Sequence, residues 1–325
     1  MRAALYDRYG SAGEVLRVEE IPAPEPGPGE VRVKVTYSGV NPTDWKSRGG
    51  STPRPIDGFQ IPHHDGAGVI DAAGEGVDPG RIGQRVWLWF AAAGRQWGTA
   101  AEWTVVPAER AVPLPDGASF ELGASLGVPA MTAHRCLFAD GPIEGKTVLV
   151  AGGAGAVGHF AIELAKFHGA RVVTTVSGPE KADLAKNTGA DLVVNYREPS
   201  AVQEIRTFGP VDRIIEVALG ANLQLDLAVL KPLGEIVTYA AEPIDPALPV
   251  RACMNANVIM RFVLIYGVPR EALGHAARDI TETLASGALN ELPVHFYRLE
   301  EIVAAHDAVQ NGAVGKVLIA PASAR

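Results

Sequence analysis

The chain has only two cysteines, Cys136 and Cys253, among its 325 residues. Two cysteines cannot supply the framework of a disulfide-stapled domain, and these two lack the spacing of a zinc ribbon. We therefore expect both to be buried apolar side chains rather than reactive thiols. No uninterrupted apolar run is long enough to cross a bilayer, and the first residues lack the layout of a signal peptide. The sequence thus predicts a cytoplasmic protein with no membrane partner.

Positive charge is also scarce, since 29 Lys and Arg residues face 37 Asp and Glu residues, for a net charge of −8. A chain with this balance has no overall electrostatic attraction for nucleic acid, so we expect no nucleic-acid partner. Hydrophobic residues make up 47% of the sequence, which is typical of a globular protein. The length predicts two domains.

A short apolar run at 147–151 is followed by glycines and then by apolar residues at helical spacing. This order predicts a strand, a tight turn and a helix. Gly153, Gly155 and Gly158 fit the G-x-G-x-x-G pattern, in which the first glycine permits the turn, the second lets the backbone approach a pyrophosphate, and the third lets helix and strand pack closely. The pattern favours a dinucleotide site; an ordinary strand-to-helix turn is the alternative.

The next predicted strand, at 171–176, indicates which dinucleotide binds. An NAD site usually has Asp or Glu at the end of this strand to bind the ribose 2′-hydroxyl, but this chain has Ser177 there. Ser177 and Lys181 can bind a 2′-phosphate, whereas Glu180 would repel one. The sequence therefore favours NADPH, with the alternative that Lys181 is an ordinary solvated helix residue.

The secondary structure that the sequence predicts changes along the chain. Residues 1 to about 120 alternate short strands with Gly and Pro turns, which predicts an all-β unit. From Val148 onward, strands alternate with helices, which predicts parallel βαβ units in a doubly wound sheet. Predicted helices cover 157–168, 179–187, 199–207, 222–230, 271–285 and 299–309. Further predicted strands cover 191–194, 213–217, 235–239, 258–266, 294–297 and 316–319.

Five motifs in this order resemble the zinc-free quinone oxidoreductase branch, the ζ-crystallin-like proteins, of the medium-chain dehydrogenase/reductase superfamily. They are the segments 38–44, 64–70, 126–133, 150–158 and 194–197.

The resemblance implies an α/β fold in which a Rossmann-type, doubly wound parallel sheet domain is inserted into a GroES-like β-barrel domain. The GroES-like catalytic domain would comprise residues 1–122 and 268–325, and the Rossmann domain residues 123–267. The cleft between them would hold nicotinamide and substrate. The resemblance also implies a homodimer formed through the Rossmann edge strand at 258–266.

The same resemblance implies contacts with NADPH beyond the three glycines. They carry over to Asn41, Thr132, Ala156, Val157, Ser177, Lys181, Tyr196, Tyr239 and Ala240.

Zinc-dependent relatives use a cysteine at the position of Asn41, a His-Glu pair resembling His64-Asp65, and a cysteine near Val128. Two of these three positions are not metal ligands here. The run His63-His64-Asp65 does not change this, because neighbours on a strand point to opposite faces. We therefore expect no metal.

Without a metal ion, reduction of an activated acceptor is the easier chemistry, because a quinone or conjugated enone spreads the incoming charge over its own oxygen. We expect an NADPH-dependent oxidoreductase that transfers hydride to a quinone or α,β-unsaturated carbonyl. Asn41 would orient nicotinamide or substrate. Asp44 would relay a proton, or would serve only as a local turn acceptor after Pro42. Two alternatives remain open, an enoyl-thioester reductase and a non-catalytic, crystallin-like NADPH-binding protein.

Overall fold

The chain divides into two units in the computed structural model, which describes residues 1–51, 53–242 and 244–322. The first unit comprises Met1–Val128 and Glu291–Arg325, and the second comprises Pro129–Asn290. The last three residues of the chain, which the sequence assigned to the GroES-like domain, lie outside the described residues. Nowhere in the described ranges is a helix long and apolar enough to span a membrane.

The first unit is built around a seven-stranded sheet and a small two-stranded one. In the large sheet, strands from both ends of the chain lie side by side, because the C-terminal strand β15 pairs antiparallel with β3 of the N-terminal part. The insertion predicted from sequence is therefore confirmed. The strands are β1 Arg2–Leu5, β2 Arg17–Glu20, β3 Glu30–Val40, β4 Asp65–Ala73, β5 Arg85–Leu88, β6 Trp103–Pro107, β7 Ala111–Pro113, β14 Val294–Arg298 and β15 Lys316–Ala320. The helices are α1 Ala12–Val15, α2 Pro42–Arg48 and α10 Ile302–Gln310, with 3₁₀ turns at Pro79–Arg81, Ala108–Arg110 and Leu299–Glu301.

The second unit is a six-stranded, wholly parallel sheet with helices between the strands. Its order β10-β9-β8-β11-β12-β13 runs outward in both directions from β8, which confirms the predicted doubly wound arrangement. The strands are β8 Thr147–Ala151, β9 Arg171–Val176, β10 Leu192–Asn195, β11 Val211–Glu216, β12 Leu230–Thr238 and β13 Ile259–Phe262. Helix α3 Phe120–Phe138 begins in the first unit and continues into the second. The other helices are α4 Ala156–Phe167, α5 Pro179–Asn187, α6 Ala201–Phe208, α7 Leu219–Val229, α8 Val250–Ala256 and α9 Arg270–Ala285, with a 3₁₀ turn at Ile265–Gly267.

The division between the units differs from the predicted boundaries after residues 122 and 267. The first division lies inside α3 at Pro129, whose ring removes a backbone donor from the helix. The second lies after Asn290, because α9 buries an apolar face that includes Ile280 and contacts α4. Residues 268–290 therefore group with the parallel sheet.

The edge of the parallel sheet also differs from the sequence prediction. A strand was expected over 258–266, but β13 ends at Phe262 and a 3₁₀ turn follows at Ile265–Gly267. The short helix α8, which the sequence analysis did not predict, precedes this strand. It ends at Ala256, and its C-cap residue Asn257 has a φ of 48°, in the left-handed region.

The two cysteines are both free, and they differ in environment. Cys136 is fully buried in α3, and burial raises the pKa of its thiol to about 12. It is therefore an unreactive apolar side chain at neutral pH, as expected. Cys253 in α8 is only partly buried, so the expectation of a buried side chain was wrong there.

A buried chain of hydrogen bonds connects β3, α10 and the loop before β6. The Thr99 hydroxyl donates to the backbone carbonyl of Asp65 (2.5 Å), and Ser38 Oγ lies 2.7 Å from Thr99 Oγ1. His63 Nδ1 lies 2.8 Å from Ser38 Oγ, and its Nε2 lies 2.9 Å from Nε2 of His306. Because a carbonyl only accepts, each hydroxyl must donate towards Asp65, so His63 donates through Nδ1 and accepts through Nε2.

His63 and His306 are both neutral in the folded protein. Burial lowers the pKa of His306 to about 3. Burial, with the adjacent His306 ring, holds the pKa of His63 well below its ordinary value. In the unfolded chain each would take up a proton below about pH 6.5. The unfolded state therefore binds more protons in acid, and the free energy of unfolding falls as the pH falls from about 6.5 towards 3.

We expect His306→Gln to make the pH dependence of stability shallower, because it removes one proton-binding group from the unfolded chain. Between pH 6 and 4 the slope of unfolding free energy against pH should fall by about 1.4 kcal/mol per pH unit. Urea unfolding across this range measures it. The control is His295→Gln, since His295 is exposed. Equal slopes for the wild type and His306→Gln would contradict the assignment.

Candidate functional site

The glycine turn lies at the carboxyl end of β8 in the second unit. Gly152 has a φ of 71°, so Gly152 permits the turn rather than Gly153, to which the sequence analysis gave this role. A Cβ at Gly153 would lie 2.1 Å from Oγ1 of Thr174, so its missing side chain makes room for β9. A Cβ at Gly158 would lie 2.4 Å from the carbonyl oxygen of Gly152, which agrees with the expected close packing of helix and turn.

The N-terminus of α4 is open for an anion. Its N-cap residue is Gly155, and no side chain of the described residues caps the helix. The first hydrogen bond within the helix runs from the backbone N–H of His159 to the carbonyl of Gly155, at 2.8 Å. The earlier N–H groups of Ala156 and Val157 therefore have no acceptor within the helix. Unpaired N–H groups and the positive end of the helix dipole favour a phosphate. The residues present therefore fit a dinucleotide pyrophosphate.

The carboxyl ends of β9 and β10 bring three predicted cofactor residues to one edge of the sheet. Ser177 follows β9 directly, and Lys181 lies in the first turn of α5. Tyr196 follows β10, and its backbone N–H donates to the carbonyl of Val176 at 3.1 Å. The Tyr196 side chain is 42% exposed, with the Arg197 guanidinium 5.8 Å from its ring centroid. No carboxylate follows β9 directly.

The remaining predicted cofactor residues of the second unit lie on α3 and after β12. Thr132 is buried in α3. Tyr239 follows β12, and its backbone N–H donates to the carbonyl of Glu216 at 3.2 Å. Burial raises the pKa of the Tyr239 hydroxyl, so this group stays protonated at any physiological pH. Ala240 comes next, at the same carboxyl edge of the sheet as the glycine turn.

The first unit contains a buried polar cluster formed by Asn41, Asp44, Asp65 and Lys316. Asn41 Nδ2 donates to Asp65 Oδ2 at 2.6 Å. Lys316 Nζ donates to Asn41 Oδ1 at 2.8 Å and to Asp65 Oδ2 at 3.0 Å. All four residues are at most 3% exposed. Asn41 and Asp44 were predicted from the sequence, whereas Lys316 was recognised there only as part of a strand.

Asp44 caps the helix in which it lies. Its Oδ2 accepts the backbone N–H of Asn41 at 2.7 Å, which is half of a capping box at the start of α2. Asp44 thus has the local acceptor role that the sequence left open as the alternative. Burial, and next the nearby Asp65 carboxylate, raise the pKa of Asp44 well above its ordinary value. The relay of a proton by Asp44 stays a prediction.

The run His63-His64-Asp65 was expected to lie on a strand, but β4 begins only at Asp65, and His63 has a φ of 78°. The three side chains meet different partners. His63 joins Ser38 and His306, while His64 Nε2 lies 4.0 Å from an Asp44 carboxylate oxygen. Burial lowers the pKa of His64 to about 3. Over residues 1–51, 53–242 and 244–322, no group of three or more His, Cys, Asp or Glu side chains has an arrangement that could hold a metal. The ligand set thus does not fit a catalytic zinc.

Two glycines that the sequence analysis did not single out make room for the polar cluster. A Cβ at Gly127 would lie 2.1 Å from Asp65 Oδ1, and a Cβ at Gly39 would lie 2.9 Å from Lys316 Cε. Gly127 allows Asp65 Oδ1 to accept the backbone N–H of Val128 at 2.6 Å. Gly39 lies in the motif at 38–44 and Gly127 in the motif at 126–133, so the sequence did mark both positions. It did not show which distant side chains these glycines make room for.

Comparison with known proteins agrees with both units. The family described as an alcohol dehydrogenase GroES-like domain matches residues 27–116, and the family described as a zinc-binding dehydrogenase matches residues 156–281. The quinone oxidoreductase of Lama guanicoe is 30% identical over 329 residues, which cover 98% of this chain and 97% of that protein.

Solved structures resemble the whole chain. An NAD-dependent alcohol dehydrogenase is 26% identical, with a TM-score of 0.89 and coverage of 98% of this chain and 99% of that one. A mycobacterial protein in complex with NADPH is 29% identical, with a TM-score of 0.84 and coverage of 99% and 100%. The chain is therefore an NAD(P)H-dependent oxidoreductase, and it belongs to the quinone oxidoreductase branch of the medium-chain dehydrogenase/reductase superfamily.

Proposed function

We propose that this protein is a zinc-independent reductase that transfers hydride from NADPH to a quinone or an α,β-unsaturated carbonyl. The observation that carries the proposal is the polar cluster of the first unit. Asn41 stands at a position where zinc-dependent relatives have a metal ligand. The cation next to it here is the ammonium of Lys316, which the Asp65 carboxylate holds. An acceptor that stabilises its own charge suits such a site.

The choice of NADPH rests on the end of β9. Ser177 occupies the position where an NAD site has a carboxylate, and Lys181 in the first turn of α5 supplies a positive charge for a 2′-phosphate. Glu180 is exposed, so its repulsion of that phosphate is screened by water. The mycobacterial relative was solved with NADPH, while another neighbour is named as NAD-dependent.

A bound nicotinamide would supply the hydride, that is, two electrons and one hydrogen nucleus, and would leave as NADP⁺. The acceptor becomes an oxyanion and then takes up one proton. The chain's own residues would bind the pyrophosphate at the start of α4 and the 2′-phosphate at Ser177 and Lys181. Asn41 would orient a carbonyl group through its side-chain amide, and Asp44 would hold the backbone of Asn41 in place.

We expect purified protein to oxidise NADPH in the presence of a quinone or a conjugated enone, and to keep this activity after dialysis against a metal chelator. Loss of NADPH absorbance measures turnover. An enoyl thioester in the same panel tests the first alternative left open by the sequence. Tight NADPH binding without turnover of any acceptor would select the non-catalytic alternative, and loss of activity on chelation would refute zinc independence.

Lys181→Ala should weaken NADPH binding about tenfold and leave NADH binding nearly unchanged, because only NADPH carries the 2′-phosphate. Cofactor titration by fluorescence measures both dissociation constants. The matched control is Lys186→Ala, an exposed lysine in the last turn of the same helix. Equal losses for the two cofactors would show that Lys181 acts structurally instead.

We also propose that the protein forms a homodimer through the edge strand β13. Within the described residues, β13 pairs only with β12, so its second edge is open. Large apolar side chains on α8, on β13 and just after β13 are exposed by 52% to 71%: Val250, Met254, Ile259, Phe262 and Leu264. An open apolar edge favours pairing with a second copy.

The cytoplasmic location expected from the sequence stays a prediction.

Ile259→Lys should shift the protein from dimer to monomer, because a charged side chain at a sheet edge opposes pairing. Sedimentation velocity should show twice the 34.2 kDa chain mass for the wild type and the single mass for the variant. Ile82→Lys is the matched control, since Ile82 is 53% exposed and Ile259 52%. A monomeric wild type, or two variants with the same mass, would refute the proposed interface.

A further inference from the structure

The side-chain amide of Asn41 is held at both ends by charged groups. Its oxygen accepts from the Lys316 ammonium at 2.8 Å, and its nitrogen donates to the Asp65 carboxylate at 2.6 Å. Lys316 and Asp65 are also bonded to each other at 3.0 Å. The three residues come from β15, the start of α2 and the start of β4, so only the folded first unit brings them together.

These partners determine which way the amide points. An ammonium only donates hydrogen bonds and a carboxylate only accepts them. A flipped amide would direct its N–H₂ at the ammonium and its oxygen at the carboxylate, and both contacts would be repulsive. The two neighbours of Asn41 therefore allow one orientation of its amide.

One donor of Asn41 is left over. Nδ2 carries two N–H groups, and one of them bonds to Asp65. Across the described part of the chain, the second N–H makes no hydrogen bond. Asn41 can therefore donate to a ligand. The positive charge at its oxygen also polarises the amide and strengthens this N–H as a donor.

The Asp65 carboxylate is itself fixed, so the orientation of Asn41 does not depend on a mobile group. Oδ1 accepts the backbone N–H of Val128 at 2.6 Å, in space left by the missing side chain of Gly127. Burial raises the pKa of Asp65, while the Lys316 ammonium, Asn41 and Val128 oppose this change. Because every partner of the carboxyl oxygens is a donor, the ionised form fits the geometry.

We propose that Lys316 is a positioning residue that, with Asp65, locks Asn41 as a hydrogen-bond donor to a carbonyl oxygen in the hydride-transfer site. This inference rests on the proposed function. The carbonyl belongs either to the nicotinamide carboxamide or to the electron acceptor, and the measurements below separate these two sources. If it belongs to the acceptor, its oxygen gains negative charge as the hydride arrives, Asn41 donates to it, and the final proton comes from solvent, with Lys316 keeping its own protons.

The test removes the lock without leaving a buried charge. Lys316→Met alone would strand the Asp65 carboxylate and destabilise the fold, so the main variant is the double substitution Lys316→Met with Asp65→Asn. The new amide at position 65 can give its oxygen to the Val128 N–H and turn its N–H₂ towards Asn41. No group then opposes a flipped Asn41. Lys34→Met, at an exposed lysine of β3, is the control.

We expect the double variant to melt near the wild-type temperature but to lose about tenfold or more in one parameter. A higher dissociation constant for NADPH, with kcat unchanged at saturation, identifies the nicotinamide carboxamide. A lower kcat/KM for the acceptor, with NADPH affinity unchanged, identifies the acceptor carbonyl. The control should match the wild type in both. A merely structural ion pair would be fully replaced by the neutral pair, so a folded double variant within twofold of wild type in both parameters would overturn the proposal.

A second variant covers the case in which the double substitution does not fold. Lys316→Gln keeps a neutral N–H donor near Asp65. It removes the ammonium that opposes one end of a flipped amide and polarises the Asn41 donor, and leaves the Asp65 carboxylate to oppose the other end. It should lower the same parameter about threefold or more, and wild-type values would overturn the proposal. Failure of the proposed function is seen separately, in wild-type protein that neither binds nor oxidises NADPH, and the inference falls with it.

Discussion

The first unit depends on the buried carboxylate of Asp65. A fully buried charge costs several kcal/mol unless it is paired and hydrogen-bonded, so its surroundings are constrained on every side. The carboxyl oxygens accept from Val128, Asn41 and Lys316, and the backbone carbonyl accepts from Thr99. These donors come from α3, the start of α2, β15 and the loop before β6. Asp65 thus ties the N-terminal strands to the C-terminal one, which is what an inserted second unit requires.

In the second unit, the parallel sheet brings candidate ligand-binding residues from distant parts of the sequence to one edge. In a parallel sheet all strands end at the same edge, so the residues after β8, β9, β10 and β12 share one side of the sheet. The glycine turn, Ser177, Tyr196 and Tyr239 are placed there by topology. Small residues then control how closely the backbone of α4 approaches that edge, as Gly158 shows.

An ammonium ion and a metal ion are not equivalent partners for an amide. Lys316 donates along fixed N–H directions and offers no open position to a substrate oxygen, whereas a catalytic metal keeps one position open for it. In the function that we propose, the group that meets the ligand is therefore Asn41, and the cation acts through it. The buried histidines fit this arrangement, because His63 is fully engaged with Ser38 and His306 and is not available as a ligand or a base.

The sequence by itself determined the elements whose signals are local. Strand β9 and helix α5 begin and end where the apolar spacing and the Gly-Pro turn predicted, at 171–176 and 179–187. Strand β13 was predicted too long, because Leu264 is exposed and a 3₁₀ turn follows at Ile265–Gly267. Apolar character alone does not distinguish an open edge from a buried strand.

Only the tertiary structure decided the contacts between distant residues. Lys316 and Asn41 are separated by 275 positions, and nothing in the neighbourhood of Lys316 indicates that it meets an amide. The grouping of α9 with the parallel sheet is similar, since an amphipathic helix does not specify which surface it covers. The physical reason is the same in both cases. Hydrophobic spacing and turn residues act over a few positions, while the pairing of a buried charge depends on which segments the whole fold brings to it.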